Sequence, residues 1–312
     1  MGLGHSALKV LLNENNRCAF KGKDLLSLGR QDIFVTEAKF LEILSEFSLT
    51  PIARPQNILS YKGTEAEKGF ISDDYVYSAL GFSSFKSLDA SAYEGADIIF
   101  DLNTSTLPDE LKSSSDVILD AGTLEHIFNV PVAMSNIFKM LRVGGRVIHQ
   151  APSSNHIDHG FYMFSPTFFW DFYLANGFDV DVLQVARYST DWLEAKWEIS
   201  DYHPGSLIHK SIGGLDDGIY MILTVATKTA RSTGNVIPQQ GMYESALWEG
   251  QKTPQGVQDS LGKKVDENFT ERYQRSGIVN KLLRRHVSPE IKAGVENKEF
   301  QRGTGLPLRY KA

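Results

Sequence analysis

The chain has 312 residues, 42% of them hydrophobic, and a formal net charge of −6, enough length for one large domain with an extension or two modest domains. No run of about 18 apolar residues offers a membrane span, and a single cysteine, Cys18, excludes an internal disulfide and a thiolate zinc cluster. Residues 231–312 hold 14 Lys+Arg against 9 Asp+Glu, net +5, and the first 230 hold 18 against 29, net −11, a body too acidic to favour nucleic acid as partner.

The opening "MGLGHSALKVLLNENNRCAF" lacks a basic region followed by a long apolar stretch and a cleavage site, so a cytoplasmic location is expected. The first strand-like run is "DLLSLGR", Asp24 to Arg30. "VTEAKFLEILSEF" follows, with apolar residues at 40, 41, 43, 44 and 47 forming a helical face, and Thr36 as its cap. From Thr50 to Ala79 the pattern is weak, and loop mixed with short helix is expected. Strand-like runs return at Ser84–Ala90, Ala96–Leu102 and Asp116–Gly122. The clearest helix follows: Val130, Ala133, Met134, Ile137, Phe138 and Leu141 share one face, with Gly144-Gly145 as its stop.

"RVIHQAP" reads as a fifth strand. "SPTFFWDFYLANGF" reads as a helix capped by Ser165 with Pro166 at its first position. "DVDVLQVARY" and "GIYMILTVATK" are β-rich, and the insertion between them, Ser189 to Asp217, is not helix-like, so the last strand is expected to enter antiparallel. The fold class is therefore α/β: a doubly wound, Rossmann-like, mostly parallel sheet of about seven strands with an antiparallel last strand, plus a C-terminal extension. The domain is expected over 1–230. A polar, net basic extension over 231–312 begins in "RSTGNVIPQQG", and "GIVNKLLRRHV" within it has a helical pattern; its charge suits either an anionic ligand or, as the favoured reading, docking on the acidic body of the same chain.

In open parallel sheets, ligands bind outside the carboxyl ends of the strands. The first four runs end in Gly29-Arg30-Gln31, in Asp89, in Asp101-Leu102-Asn103 and in Asp120-Ala121-Gly122-Thr123. A lone acid at a strand end is usually a cap or a solvated loop residue. Three at successive ends crowd negative charge along one edge, which suits a ligand rich in hydroxyl and N–H donors. A nucleoside is such a ligand, and an acid ending the second strand is how dinucleotide folds hold a ribose. No G-x-x-x-x-G-K-[ST] occurs, and the G-x-G-x-x-A match "GLGHSA", Gly2 to Ala7, has no strand before it and reads as coincidence. Adenosine without a diphosphate cradle points to S-adenosylmethionine.

The stretch "DVILDAGTLEHIFNVPVAMSNIFKMLRVGGRVIHQAP" resembles the central half of class I S-adenosylmethionine-dependent methyltransferases of the type 11-like kind. There a strand ending in Asp precedes Leu-Glu-His, a helix, Leu-x-x-Gly-Gly and the next strand. The resemblance runs from about Leu25 to Lys228. It implies that Gly29 underlies the methionine part of the cofactor and that Asp89 accepts from the ribose hydroxyls, with Leu88 or Ala90 flanking the adenine. It further implies that Asp101 accepts from the adenine amino group beside the Leu102 backbone, and that Asp120, Ala121 and Gly122 meet the methionine end. The family's first loop commonly reads Gly-x-Gly-x-Gly; here "LGRQDIF" keeps one glycine, and Gln31 stands where a side-chain contact could replace a backbone one.

Methyl transfer to a hydroxyl needs an oriented acceptor and a proton acceptor. His126 and His159 are the candidate bases, the second beside Asp158 and Tyr162 in "NHIDHGFYMFSP". Strand alternation puts His149 inside the fold, and His156 with His159 lacks an obvious third ligand, so no metal is expected. Phe161, Tyr162, Phe164, Phe168, Phe169 and Trp170 read mainly as core, with a part walling the acceptor site; Trp192, Trp197, Tyr202 and His203 read as a lid. The expected activity is methylation, at oxygen, of a small molecule or a sugar-containing metabolite such as a glycan precursor. Two other readings are a non-catalytic binding protein with a degenerate cofactor loop, and a nicotinamide-dependent oxidoreductase, which should carry a Gly-rich turn after the first strand.

Overall fold

The computed structural model describes residues 2–193, 195–210 and 213–241. The first half of the chain forms β1 (Gly2–Leu3), α1 (His5–Arg17), β2 (Asp24–Leu28), β3 (Asp32–Thr36), α2 (Glu37–Glu46), α3 (Gly63–Ala66), β4 (Phe70–Ser72), α4 (Asp73–Ala79), β5 (Ser84–Asp89), β6 (Ile98–Ile99) and β7 (Ser115–Asp120). The second forms α5 (Val130–Met140), β8 (Leu141–Pro152), α6 (Pro166–Ala175), β9 (Asp179–Tyr188), β10 (Glu198–Asp201) and β11 (Ile219–Thr227).

Eight strands make one sheet in the order β10-β9-β11-β8-β7-β2-β5-β6. The ladders from β8 through β7, β2 and β5 to β6 are parallel, and β11 runs antiparallel between β8 and β9. The expected α/β fold with a reversed last strand is therefore present. Alternate residues of each central strand feed two cores. Leu26, Leu28, Ile118 and Val147 pack under α5 and α6, while Leu25, Val117, Leu119 and Ile148 pack under α1, α2 and α4. Both faces are covered, as a parallel sheet requires. The apolar stripe of α5 is fully used: Ala133, Met134 and Ile137 are at most 1% exposed, and a side chain such as Ile137 contributes about 1.5–3 kcal/mol by that burial.

Thr36 caps α2 by accepting from the Lys39 amide, and Ser165 caps α6 with Pro166 in its first turn, as expected. Other elements depart from the sequence reading. Helix α1 begins inside "GLGHSA": Gly2–Leu3 is itself a two-residue strand on β3, and Gly4 is the N-cap. The stripe Ala7, Leu8, Leu11, Leu12 is narrow and is followed by "NENNR", which hid the helix. The residues after the first strand do not stay a loop; Asp32–Thr36 joins a separate sheet of order β1-β3-β4. The third run, expected over Ala96–Leu102, keeps only two residues in the ladder, because Asp97 bonds back to Ser87 and Asp101 turns the chain. Helix α5 ends at Met140, before the glycine pair, and β8 already starts at Leu141. The late insertion contributes an unexpected edge strand, β10.

Of the expected extension, residues 231–241 are described. They fold back on the end of α6, where Asn176 accepts from the Thr233 hydroxyl and the Val236 amide. The helical pattern at 277–287 lies outside the described residues. Among the described residues no helix is long and apolar enough to cross a membrane.

Candidate functional site

Three neighbouring parallel strands, β7, β2 and β5, deliver Asp120, Leu28 and Asp89 to the same edge. Gly29 turns the chain there with φ 76° and donates its amide to the Leu88 carbonyl at 2.8 Å. A Cβ on Gly29 would lie 3.3 Å from the Thr123 hydroxyl, 4.0 Å from Asp89 Oδ2 and 4.0 Å from Gln31 Nε2. Any side chain would be strained by that φ and would occupy the space between the three strand ends. Sequence reading did not single out Thr123; its hydroxyl donates to the Leu28 carbonyl at 2.6 Å and ties the β7 loop to the β2 turn.

The bulky pair after Gly29 is held by α4. The Arg30 guanidinium makes a fork to Asp73, at 3.0 and 2.6 Å, and stacks over the Tyr61 ring. Asp73 also accepts from the Gln31 amide at 3.1 Å. Burial pushes the Asp73 carboxyl above the usual range, opposed by the Arg30 charge. Gln31 is 2% exposed and donates to the Leu28 carbonyl, while its Oε1 accepts no hydrogen bond from the described residues. The single glycine of this loop is thus followed by a turn clamped through Arg30 and the Gln31 amide to Asp73.

Asp89 ends β5 in register with Ile99, and Asp101 follows the adjacent short strand β6 by two residues on the same edge. Asp89 Oδ1 accepts from the Ser91 amide, and Oδ2 is the atom nearest the Gly29 turn. Asp101 is exposed, and its Oδ1 accepts from both the amide and the side chain of Asn103. Leu88 and Leu102 are buried in the core, whereas Ala90 is exposed. A cavity of about 350 Å³ elsewhere, lined by Ser165, Thr167, Phe168, Asp171 and Gln239 among others, contains none of the expected cofactor-binding or catalytic residues, although Phe168 was expected among the aromatics near the acceptor.

Asp120 is placed differently from the expectation that it meets the cofactor. It is fully buried, with Oδ1 accepting from the Thr123 and Leu124 amides at 3.1 Å and Oδ2 2.6 Å from His149 Nδ1. His149 Nε2 in turn lies 2.5 Å from the Tyr173 hydroxyl on α6. The carboxylate is thus committed to shaping the turn that follows β7; Ala121 and Gly122, both buried, complete that turn, with Gly122 at φ 96°. Strand alternation correctly places His149 inside.

What the turn presents is Leu124–His126, one 3-10 turn. The loop after β8 is stitched to it: the Phe161 and Tyr162 amides donate to the Glu125 carbonyl at 2.9 and 3.3 Å. Asn155 and Asp158 adopt φ 66°, unusual for residues with side chains, in the same loop. The result brings together residues far apart in sequence. His159 Nε2 is 3.5 Å and His126 Nε2 3.9 Å from Glu125 Oε1, and the two imidazoles lie 5.2 Å apart. His156 packs edge-on against His159 at 5.4 Å.

Glu125 is 0% exposed, and neither carboxylate oxygen accepts a hydrogen bond among the described residues. Burial, with the neighbouring Asp120 charge, pushes its carboxyl up to about 8. Burial also lowers His126 and His159, the former further through His159. At neutral pH the imidazoles therefore hold lone pairs. The Tyr162 hydroxyl donates to the Phe128 carbonyl at 2.7 Å, so it serves the loop. Phe128 and Phe161, 70% and 65% exposed, meet edge to face and give the site an apolar rim. Phe164 and Phe169 are core, as expected.

The four residues expected to form a lid go to different places. Trp192 meets Phe34, Trp197 stacks on Tyr188, the buried Tyr202 bonds Thr167, and His203 meets Trp170. Glu125 stands out in the sequence as one of the polar residues after the fourth strand, but the Leu-Glu-His motif cannot reveal its burial; Gly160, where a Cβ would come within 2.9 Å of the Glu125 carbonyl oxygen, joins Thr123 among the residues that sequence reading missed.

No family model and no curated protein matches the chain. Among solved structures, an S-adenosylmethionine-dependent methyltransferase from Thermotoga maritima is 14% identical, covering 72% of this chain and 91% of its own, with a TM-score of 0.34. One from Archaeoglobus fulgidus is 13% identical, covering 72% and 94%, with a TM-score of 0.39. The [4+2]-cyclase SpnF is 13% identical, covering 72% and 81%, with a TM-score of 0.36. At such scores and identities none of these likenesses carries an argument about what this chain does.

Proposed function

We propose that the protein is an S-adenosylmethionine-dependent methyltransferase acting on a small, oxygen-bearing acceptor. The observation that carries the reading is the meeting of Gly29, Asp89 and Thr123 at the ends of three adjacent parallel strands, with the Glu125 cluster presented by the next turn. Asp89 Oδ2 is the acceptor for ribose hydroxyls, and Gly29 leaves room for the chain of the ligand beneath them. The exposed Asp101 stands one strand farther out, where an adenine amino group would reach it. When bound, the cofactor supplies a methyl group on a sulfonium leaving group.

The acceptor enters over the apolar rim of Phe128 and Phe161, and its hydroxyl meets Glu125, His126 and His159. His159, partly exposed and with a lowered proton affinity, is placed to take the hydroxyl proton. A sugar-containing acceptor such as a glycan precursor suits an apolar rim around a polar centre.

Isothermal titration of the full chain with S-adenosylmethionine, S-adenosylhomocysteine and NAD tests the reading. Binding of both sulfur nucleosides, with none of NAD, is expected. Binding of NAD alone would transfer the site to hydride chemistry, and binding of none of the three would leave a fold without this function.

A further inference from the structure

We infer that Glu125, His126 and His159 form a binding site for a first-row divalent cation of the zinc class, whose remaining coordination positions take an oxygen of the acceptor. The cation part stands on geometry alone; the acceptor part rests on the methyltransferase reading. Expectation from sequence was against a metal, because His156 and His159 lack a third ligand at fixed spacing. The fold supplies the missing ligands from a turn more than thirty residues earlier in the chain.

One carboxylate oxygen and two imidazole nitrogens converge with all three ligand atoms within 4.8 Å of one another. Two of the separations, 3.5 and 3.9 Å, are already close to the roughly 3.4 Å that neighbouring ligands keep around tetrahedral zinc. His126 and His159 are partly exposed at their side chains, so their rings can turn the remaining distance and a cation can reach them from solvent.

Glu125 supplies the independent observation. A fully buried carboxylate with neither oxygen hydrogen-bonded is costly to keep and calls for a cationic partner. Among the described residues no Lys or Arg forms an ion pair with it, and the two imidazoles lie 3.5 and 3.9 Å from its Oε1. The backbone on both sides is fixed, by the Asp120 carboxylate at the start of the turn and by the Phe161 and Tyr162 amides on the Glu125 carbonyl. Among the described residues the buried Nε2 of His156 lacks a hydrogen bond as well, and its ring packs edge-on against that of His159 at 5.4 Å.

Two imidazoles with one carboxylate select the metal class. Magnesium and calcium prefer sets made of oxygen, whereas this mixed set matches zinc and its first-row neighbours. Three protein ligands leave at least one position open, as in catalytic rather than structural sites. A hydroxyl oxygen bound there would lose its proton more readily, and with the cation bound water would take that proton in place of His159, which serves as base only in the cation-free site.

Chelator-treated full-length protein is titrated with Zn2+ alone and, separately, with Mg2+, in the absence of cofactor. One Zn2+ per chain is expected, with Mg2+ at least about a hundredfold weaker. Co2+ should give visible d–d absorption that Zn2+ displaces. His126→Ala and His159→Ala should each weaken Zn2+ by at least about tenfold, while His203→Ala, outside the cluster, changes nothing. Should Glu125→Gln fail to fold, the exposed His126 variant still decides. Absence of Zn2+ binding, or equal binding by His126→Ala, His159→Ala and the unaltered chain, overturns the site. Because cofactor titration is a separate measurement, a chain that binds S-adenosylmethionine but no Zn2+ removes the cation and leaves the methyltransferase reading intact.

Discussion

Gly160 lies so close to Glu125 that a Cβ there would come within 2.9 Å of the Glu125 carbonyl oxygen and 3.1 Å of its Cγ. The contact is what joins the loop after β8 to the turn after β7, and the Phe161 and Tyr162 amides seal it. Gly160→Ala should push the loop off the turn and move His159 away from Glu125. Activity and Zn2+ affinity should fall by about tenfold or more, while global stability drops only by about 1–3 kcal/mol, because the helices and sheet are untouched. Amide hydrogen exchange confined to residues 153–164 checks it; an unchanged exchange pattern with full activity would show that the two segments do not depend on each other.

The Asp120–His149–Tyr173 chain gives a prediction about stability. All three groups are buried and bonded in series. Tyr173→Phe removes one hydroxyl and leaves His149 Nε2 unsatisfied, a loss of about 1–3 kcal/mol. Asp120→Ala strands the imidazole and frees the Thr123 and Leu124 amides, costing about 3–5 kcal/mol. Urea unfolding of both variants measures this. A Tyr173→Phe protein as stable as the parent would mean that the hydroxyl contact is not formed in solution.

The central half of this molecule is legible in the sequence for a physical reason. Strands buried on both faces read as apolar runs, and α5 and α6 carry caps or periodic stripes that only a helix satisfies. The strand-end acids are equally visible, yet their duties are not. Asp89 and Asp120 look alike in sequence; only burial and the partner His149, 29 residues away, separate a group beside the Gly29 turn from one locked in the interior. Helix α1 was hidden by its narrow stripe, and the β1-β3-β4 sheet by strands of two to five residues that carry no periodicity. The cluster of Glu125 with His159 joins two loops, and no local pattern encodes that meeting.

Glu125 makes stability depend on pH. In the unfolded chain its carboxyl returns to about 4.3, while burial holds it at about 8 in the native, cation-free state. Between those values the native state binds a proton that the unfolded chain has released. Unfolding free energy therefore falls as pH rises through the window, by at most about 1.4 kcal/mol per unit from this group, and levels off above the native value. Glu125→Gln mimics the protonated form and should remove that slope. Denaturation between about pH 5 and pH 8, in chelator, should show the variant gaining on the parent as pH rises; parallel curves would contradict the buried, uncompensated carboxylate.

Asp89 and Asp101 should differ in what they contribute to cofactor affinity. The Asp89 carboxylate sits over the Gly29 turn, with Oδ2 the nearer oxygen, so Asp89→Ala should weaken S-adenosylhomocysteine binding by about 1–3 kcal/mol if a buried ribose contact is lost. Asp101 is exposed and already spends Oδ1 on Asn103. Its contact is made against water, and Asp101→Ala should cost about 1 kcal/mol or less. Titration calorimetry on folded variants, with melting curves as the control for integrity, gives the comparison directly. Equal losses would place the ligand farther out along the edge than Gly29 implies. No loss in Asp89→Ala would detach the ribose from this strand altogether, and with it the reading of Gly29 as the floor of the site.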